Sequence, residues 1–277
     1  MTILVFTLIL LVGAYMAGFL GSLTGLGGGV IIIPLLTLVF HVDIRYAIGA
    51  ALLASIATSS GAASAYVKEG ITNIRLGMFL EIATTIGAVI GAFIAIYMPT
   101  NAIAVIFGVV LIFSAAMTVR KKHEAKLTEG SKLSEKLKLN STYPVNGEKV
   151  SYQLTNVAGG FSLMTLAGVL SGLLGIGSGS LKVLAMDSTM KIPFKVSTTT
   201  SNFMIGVTAA ASAVVYLQRG YMDPGIAFPV VLGVLAGALT GAKILPKINP
   251  KILRIIFAVA ITAVAIEMII NGINHKF

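Results

Sequence analysis

The sequence predicts an all-α integral membrane protein of two inverted repeats, each of about five helical segments, with glycine-broken helices near the midplane. Three observations carry that expectation. The 277 residues are 56% hydrophobic and only 11% charged, with a mean hydropathy of +0.95, whereas soluble domains carry about 25% charge. Long apolar stretches such as residues 71–96 can cross about 30 Å of hydrocarbon as helices, and they lack the alternation of a membrane barrel. Finally, residues 17–110 recur 150 positions later without a gap. The offset pairs Arg45 with Lys195, Thr58 with Thr208, Tyr66 with Tyr216, Gly70 with Gly220 and Phe107 with Phe257.

In the first half the apolar segments fall at 3–24, 29–40, 44–67, 73–97 and 101–119. The first is expected to be retained: nothing basic precedes Arg45 and no small-residue cleavage site closes the run, so it does not read as a signal peptide. The second is interrupted from the first by Gly25-Leu26-Gly27-Gly28-Gly29. Its twelve residues rise only about 18 Å, which suits a half-helix or a re-entrant arm. Residues 120–150 hold eight basic and four acidic residues with Pro144 and Gly147. They are read as a solvated linker, with a short amphipathic helix where Leu133 and Leu137 share a face. The domain division is 1–119, linker 120–150, and 151–277. The second half repeats the plan at 156–174, 179–188, 194–217, 225–246 and 251–271, with the break at Gly175-Ile176-Gly177-Ser178-Gly179.

Five crossings per half make an odd count and invert the second half. A cytoplasmic linker then puts Lys68, Arg75, Lys191, Lys195, Lys243, Lys247, Lys251 and Arg254 inside, and Arg45, Arg219 and Lys276 outside. Four crossings per half would put most of the positives outside, against the cytoplasmic bias of Lys and Arg. The same topology accounts for the net charge of +10 without nucleic acid, and both termini are expected to be extracytoplasmic.

Glycine clusters in membrane helices serve close packing, which suffices for Gly87/Gly91 and Gly237/Gly241. Three or four glycines in five positions exceed that need and unwind a helix. A break at membrane depth is tolerated where it lines a cavity or is covered by protein. The helices restarting at Val30 and Ser180 present N–H donors and about half a positive charge. Candidate substrate-binding residues are therefore Gly25, Gly27, Gly28, Gly29, Gly175, Gly177, Ser178, Gly179 and Ser180. Lys182 joins them as a lysine at membrane depth, the other reading being a side chain that snorkels to the interface. The polar run 197–202 contributes Ser201 and Asn202, and the first half offers Ser55 and Thr58. Single Ser and Thr residues in membrane helices often only bond their own backbone. Glu81 is either a proton-coupling carboxylate or the partner of nearby Arg75 in an interfacial pair.

The pattern Gly18-Phe19-Leu20-Gly21-Ser22-Leu23-Thr24-Gly25-Leu26-Gly27-Gly28-Gly29, with Pro34 and a second glycine-broken copy after a basic loop, resembles the TauE/SafE sulfite exporter family. The resemblance spans nearly everything outside the linker. It implies a multi-pass transporter in the prokaryotic cytoplasmic membrane for sulfite, sulfoacetate or another organosulfonate, and it carries the family's glycine motif onto the glycines named above. Ser178 stands where the first copy has Gly28, so the half-sites need not be equivalent.

The expected activity is secondary transport of a small sulfur-containing anion by alternating access, the alternative being a passive anion channel. No Gly-rich run precedes Lys-Ser or Lys-Thr, so a nucleotide-driven P-loop is not indicated. An enzyme is not expected, because the chain has no cysteine and pairs no membrane nucleophile with a base or metal cage. No cofactor or metal is implied. The expected partners are the anion and the lipid bilayer, and monomer and homodimer both remain open.

Overall fold

The computed structural model describes residues 3–24, 28–68, 70–119, 130–145, 148–244 and 250–276. The helices are α1 (Ile3–Thr24), α2 (Gly29–Pro34), α3 (Ile44–Lys68), α4 (Ile74–Tyr97) and α5 (Thr100–Val119), then α6 (Lys132–Lys136), and α7 (Val157–Leu174), α8 (Gly179–Leu184), α9 (Phe194–Gln218), α10 (Pro224–Ile244) and α11 (Pro250–Ile273). Six of them, among the described residues, are long and apolar enough to cross a membrane. The protein is an all-α, multi-pass membrane protein.

Both short arms widen into a π-helical stretch, Leu35–Val39 after α2 and Ala185–Thr189 after α8. Pro34 removes a backbone donor from the first arm, but its repeat mate is Leu184 and the second arm widens over the same five positions. Proline is therefore not the cause.

Helix pairing exchanges the halves. α1 packs along α10 and α4 along α7, while α3 packs on α9 and α5 on α11. The first two pairs lock through glycine. A Cβ on Gly87 would strike the Thr165 carbonyl and one on Gly168 the Thr84 carbonyl. Their counterparts Gly237 and Gly18 meet the carbonyls of Tyr15 and Val234. Backbone at this range is the small-residue packing expected of Gly87/Gly91 and Gly237/Gly241.

Each short arm folds back along the helix that precedes it, the return that an odd count of crossings per half requires. The Phe6 and Phe40 rings lie 5.1 Å apart, and a Cβ on Gly13 would sit 2.7 Å from Leu35 Cδ2. The arm thus runs back beside α1 to the end where α1 began. The second arm does likewise, with Thr155 N–H donating to the Met190 carbonyl at 3.1 Å. After that return, α3, α4 and α5 in the first half and α9, α10 and α11 in the second complete the odd count.

Two sets of contacts mark the ends of the bundle. At the linker end, Asn73 Nδ2 donates to the Leu139 carbonyl and to the Tyr152 hydroxyl, both at 2.9 Å, and Arg75 Nη1 to the Lys138 carbonyl at 3.1 Å. At the other end, Arg45 Nη2 donates to the Met98 carbonyl at 2.8 Å and Arg219 Nη2 to the Tyr97 hydroxyl at 3.3 Å. The turn after α3 therefore lies at the linker end and its repeat mate after α9 at the opposite end.

The linker departs from the expectation of a loop with one short helix. α6 forms where expected, but β1 (Ser141–Val145) and β2 (Glu148–Tyr152) add an antiparallel hairpin, with Tyr143 opposite Val150. Leu139, Tyr152 and Leu154 bury against Ile71, Leu76, Met186 and Ile192, which seats the linker on the end of the second arm.

Candidate functional site

The second glycine break forms because α7 cannot continue. Gly175 (φ 69°), Gly177 (φ 67°) and Ser178 (φ 47°) are all left-handed, a conformation that costs an L residue roughly 1–2 kcal/mol. Gly175 N–H closes α7 on the Ser171 carbonyl at 2.8 Å. A Cβ on Gly175 would lie 2.7 Å from Ile48 Cγ2 and 3.1 Å from the Ile48 carbonyl oxygen, so glycine is required both by backbone and by space.

The start of the first arm meets the second break. A Cβ on Gly29 would lie 3.0 Å from the Gly175 carbonyl oxygen, 2.8 Å from Ser55 Oγ and 3.1 Å from the Ala51 carbonyl oxygen. Gly28 N–H donates to Thr58 Oγ1 at 3.4 Å, and Thr58 Oγ1 donates to the Ala54 carbonyl at 2.6 Å. Gly25 and Gly27 lie outside the described residues. Around this junction the hydroxyls of Ser55, Ser171 and Ser178 are buried without a hydrogen-bond partner. Buried polar groups are nearly always bonded, and these three hydroxyls are exceptions to that rule.

The other candidates divide. Ser201 Oγ donates to the Gly179 carbonyl at 3.1 Å, tying α9 to the restart of the arm. The rest of the polar run is spent within the protein: Ser197, Thr198 and Thr199 bond backbone carbonyls of residues 192–196, and Thr200 Oγ1 accepts from the distant Asn73 N–H. Asn202 is buried, and its backbone carbonyl accepts from Ser59 Oγ at 2.6 Å. Ser180 turns to α5, where its hydroxyl lies 2.8 Å from Ser114 Oγ.

Lys182 and Glu81 join, through a residue that sequence reasoning had not placed in the site. Lys182 is fully buried, and its Nζ donates to Thr208 Oγ1 at 2.5 Å. Thr208 Oγ1 in turn donates to Glu81 Oε1 at 2.7 Å. Thr85 Oγ1 donates to the same oxygen at 3.3 Å, while Glu81 Oε2 is buried without a partner. This corrects both bland readings: Lys182 does not snorkel, and Arg75 is bonded to Lys138 rather than to Glu81. The one sequence signal for Thr208 was its place as repeat mate of Thr58.

A cavity of about 400 Å³ lies between α1, the first arm, α5 and α11, lined by Leu20, Ile31, Leu35, Leu111 and Val264, with Glu267 at its edge. Its apolar wall offers an anion no donors, and none of the three orphan hydroxyls lines it.

The profile of the Sulfite exporter TauE/SafE family matches residues 9–268. The chain is similar to the probable membrane transporter protein YunE of Bacillus subtilis (strain 168), 31% identical over 232 residues, 81% of this chain and 83% of YunE. It is also similar to the probable membrane transporter protein YdhB of the same organism, 26% identical over 221 residues, 80% of this chain and 83% of YdhB. A probable membrane transporter protein of Methanocaldococcus jannaschii is 25% identical over 229 residues, covering 79% of this chain and 76% of that protein. No solved structure matches. With its short helical arms inside an apolar helical bundle, the chain belongs to the TauE/SafE sulfite exporter family and is a membrane transporter, not an enzyme.

Proposed function

We propose that the protein is a secondary transporter of a small sulfur-containing anion, sulfite, sulfoacetate or another organosulfonate, bound where the two glycine breaks meet and moved by alternating access of two inverted repeats. The observation that carries this reading is the junction of Gly29 with Gly175 beside the orphan hydroxyls of Ser55, Ser171 and Ser178. Helix starts and hydroxyls bind an oxyanion through oriented dipoles and hold it loosely enough for release. Sites of this kind lie at repeat interfaces near the midplane. Inversion is supported by homologous turns at opposite ends of the bundle, and a cytoplasmic linker by its eight basic residues.

Uptake of radiolabelled sulfite and of sulfoacetate into proteoliposomes tests it, with and without a pH gradient. Accumulation above the external concentration is the expected result. Purely downhill flux would make the protein a passive channel, and no flux of either anion would overturn the reading.

A further inference from the structure

Resting on that reading, we propose that Thr208 is a positioning residue through which Lys182 exchanges its partner Glu81 for the transported anion, so that one proton enters Glu81 for each monoanion bound.

Three observations support the exchange. First, the unit exists on one side only. The repeat mates of Lys182 and Glu81 are Ile32 and Val231, and the mate of Thr208, Thr58, serves only Gly28 and Ala54. The fold is therefore satisfied by apolar residues at these places, and a buried charge pair is an expensive replacement for them. Second, Lys182 stands one turn beyond the second break, its backbone N–H bonded to the Ser178 carbonyl at 3.0 Å. Its flexible stem starts beside the hydroxyls assigned to the anion. Third, Glu81 Oε2 has no partner, so a proton can bond there without displacing any donor.

Charge decides the coupling. Lys182 and Glu81 together are neutral. A monoanion added alone leaves the buried site negative, and a proton added alone leaves it positive. Both together restore neutrality, with the ammonium now facing the anion and Glu81 carrying the proton as a neutral carboxyl. Uncompensated charge at this depth is the costly state, so the two binding events favour each other and the coupling is reciprocal.

Among the described residues of the elements packed on α4 and α8, no other ionisable group competes. α5 and α7 carry none. On α9, Lys195 is exposed and Tyr216 donates to the Leu173 carbonyl. On α4, Arg75 and Tyr97 are engaged at the two ends of the bundle. Asp187 lies five residues farther along the arm than Lys182 and is only half buried.

Calorimetry of the purified full chain tests this, in buffers of different ionisation enthalpy, with methanesulfonate, which does not titrate, and with sulfite corrected for its own protonation. Wild type should take up one proton per anion, and its affinity should fall about tenfold per pH unit on the alkaline limb. Glu81→Gln should bind without proton uptake and without pH dependence. Lys182→Gln should bind at least about tenfold more weakly. Thr208→Val should lower the proton count and Thr208→Ser restore it, which a purely structural threonine would not do.

Anion binding to wild type with no proton uptake overturns the exchange while leaving anion transport standing. Retained pH dependence in Glu81→Gln does the same. Binding of neither anion overturns both. The wild-type proton count decides the matter even where a variant fails to fold.

Discussion

Replacing Gly175 by alanine while using Gly220→Ala as its partner isolates the close approach on which the junction depends. Both glycines are left-handed, with φ of 69° and 75°, so each alanine pays roughly 1–2 kcal/mol for its backbone. At Gly220 nothing lies within 4 Å of the new methyl, whereas at Gly175 it meets Ile48 Cγ2 at 2.7 Å and the Ile48 carbonyl oxygen at 3.1 Å. The side chain can rotate but the carbonyl belongs to α3, so overpacking adds about 1–3 kcal/mol. Gly175→Ala should therefore cost about 2–5 kcal/mol against about 1–2 for Gly220→Ala. The chain has no tryptophan, so unfolding in mixed micelles is best followed by circular dichroism. Transport per folded molecule should fall in Gly175→Ala alone. Equal destabilisation and equal transport in the two variants would refute the argument that this glycine is fixed by its contact with α3.

Gly91→Leu should prevent α4 and α7 from closing, because its Cβ runs into the Val169 carbonyl; the control Gly61→Ala, with its nearest neighbour at 3.8 Å, should be tolerated. Monodispersity on size exclusion separates the two. Burial pushes the Tyr152 phenol up to about 12, so folding favours its neutral form. That contribution is whole below the ordinary value of about 10 and is lost as pH climbs through 12. Wild type should then lose about 2–3 kcal/mol between pH 10 and 12 that Tyr152→Phe does not lose, as read from unfolding curves across that range. Below pH 10, Tyr152→Phe should cost only about 1 kcal/mol, for the hydrogen bond that the hydroxyl accepts from Asn73.

Segment positions were legible because apolar length and glycine punctuation are local properties. Residues 44–67 became Ile44–Lys68, and 29–40 became a six-residue helix with a five-residue π-helical tail. The distribution of Lys and Arg implied that the arms return, but the contacts that fix the path, such as Phe6 on Phe40, are announced by no local pattern. The hairpin did carry a signal: Asn146-Gly147 sits between Tyr143-Pro144-Val145 and Glu148-Lys149-Val150, and Asn-Gly favours two-residue hairpins. The basic composition of the linker drew attention away from it.

Glu81 shows the limit most plainly. Arg75 is six residues away and Lys182 a hundred and one, yet the fold selects the distant lysine because α4 and α8 both pack on α9. Ser178 was legible as a hydroxyl beside a break. That its oxygen has no partner could emerge only from the packed structure.

The most direct measurement is equilibrium binding of radiolabelled sulfite to wild type and to the double variant Ser55→Ala/Ser178→Ala. Both hydroxyls are unbonded within the protein, so their loss should leave the melting temperature nearly unchanged. A hydrogen bond to a charged group is worth about 1.5–3 kcal/mol, and affinity should fall at least about tenfold. Unchanged affinity in a folded double variant would contradict the assignment of the anion to the junction of the two breaks.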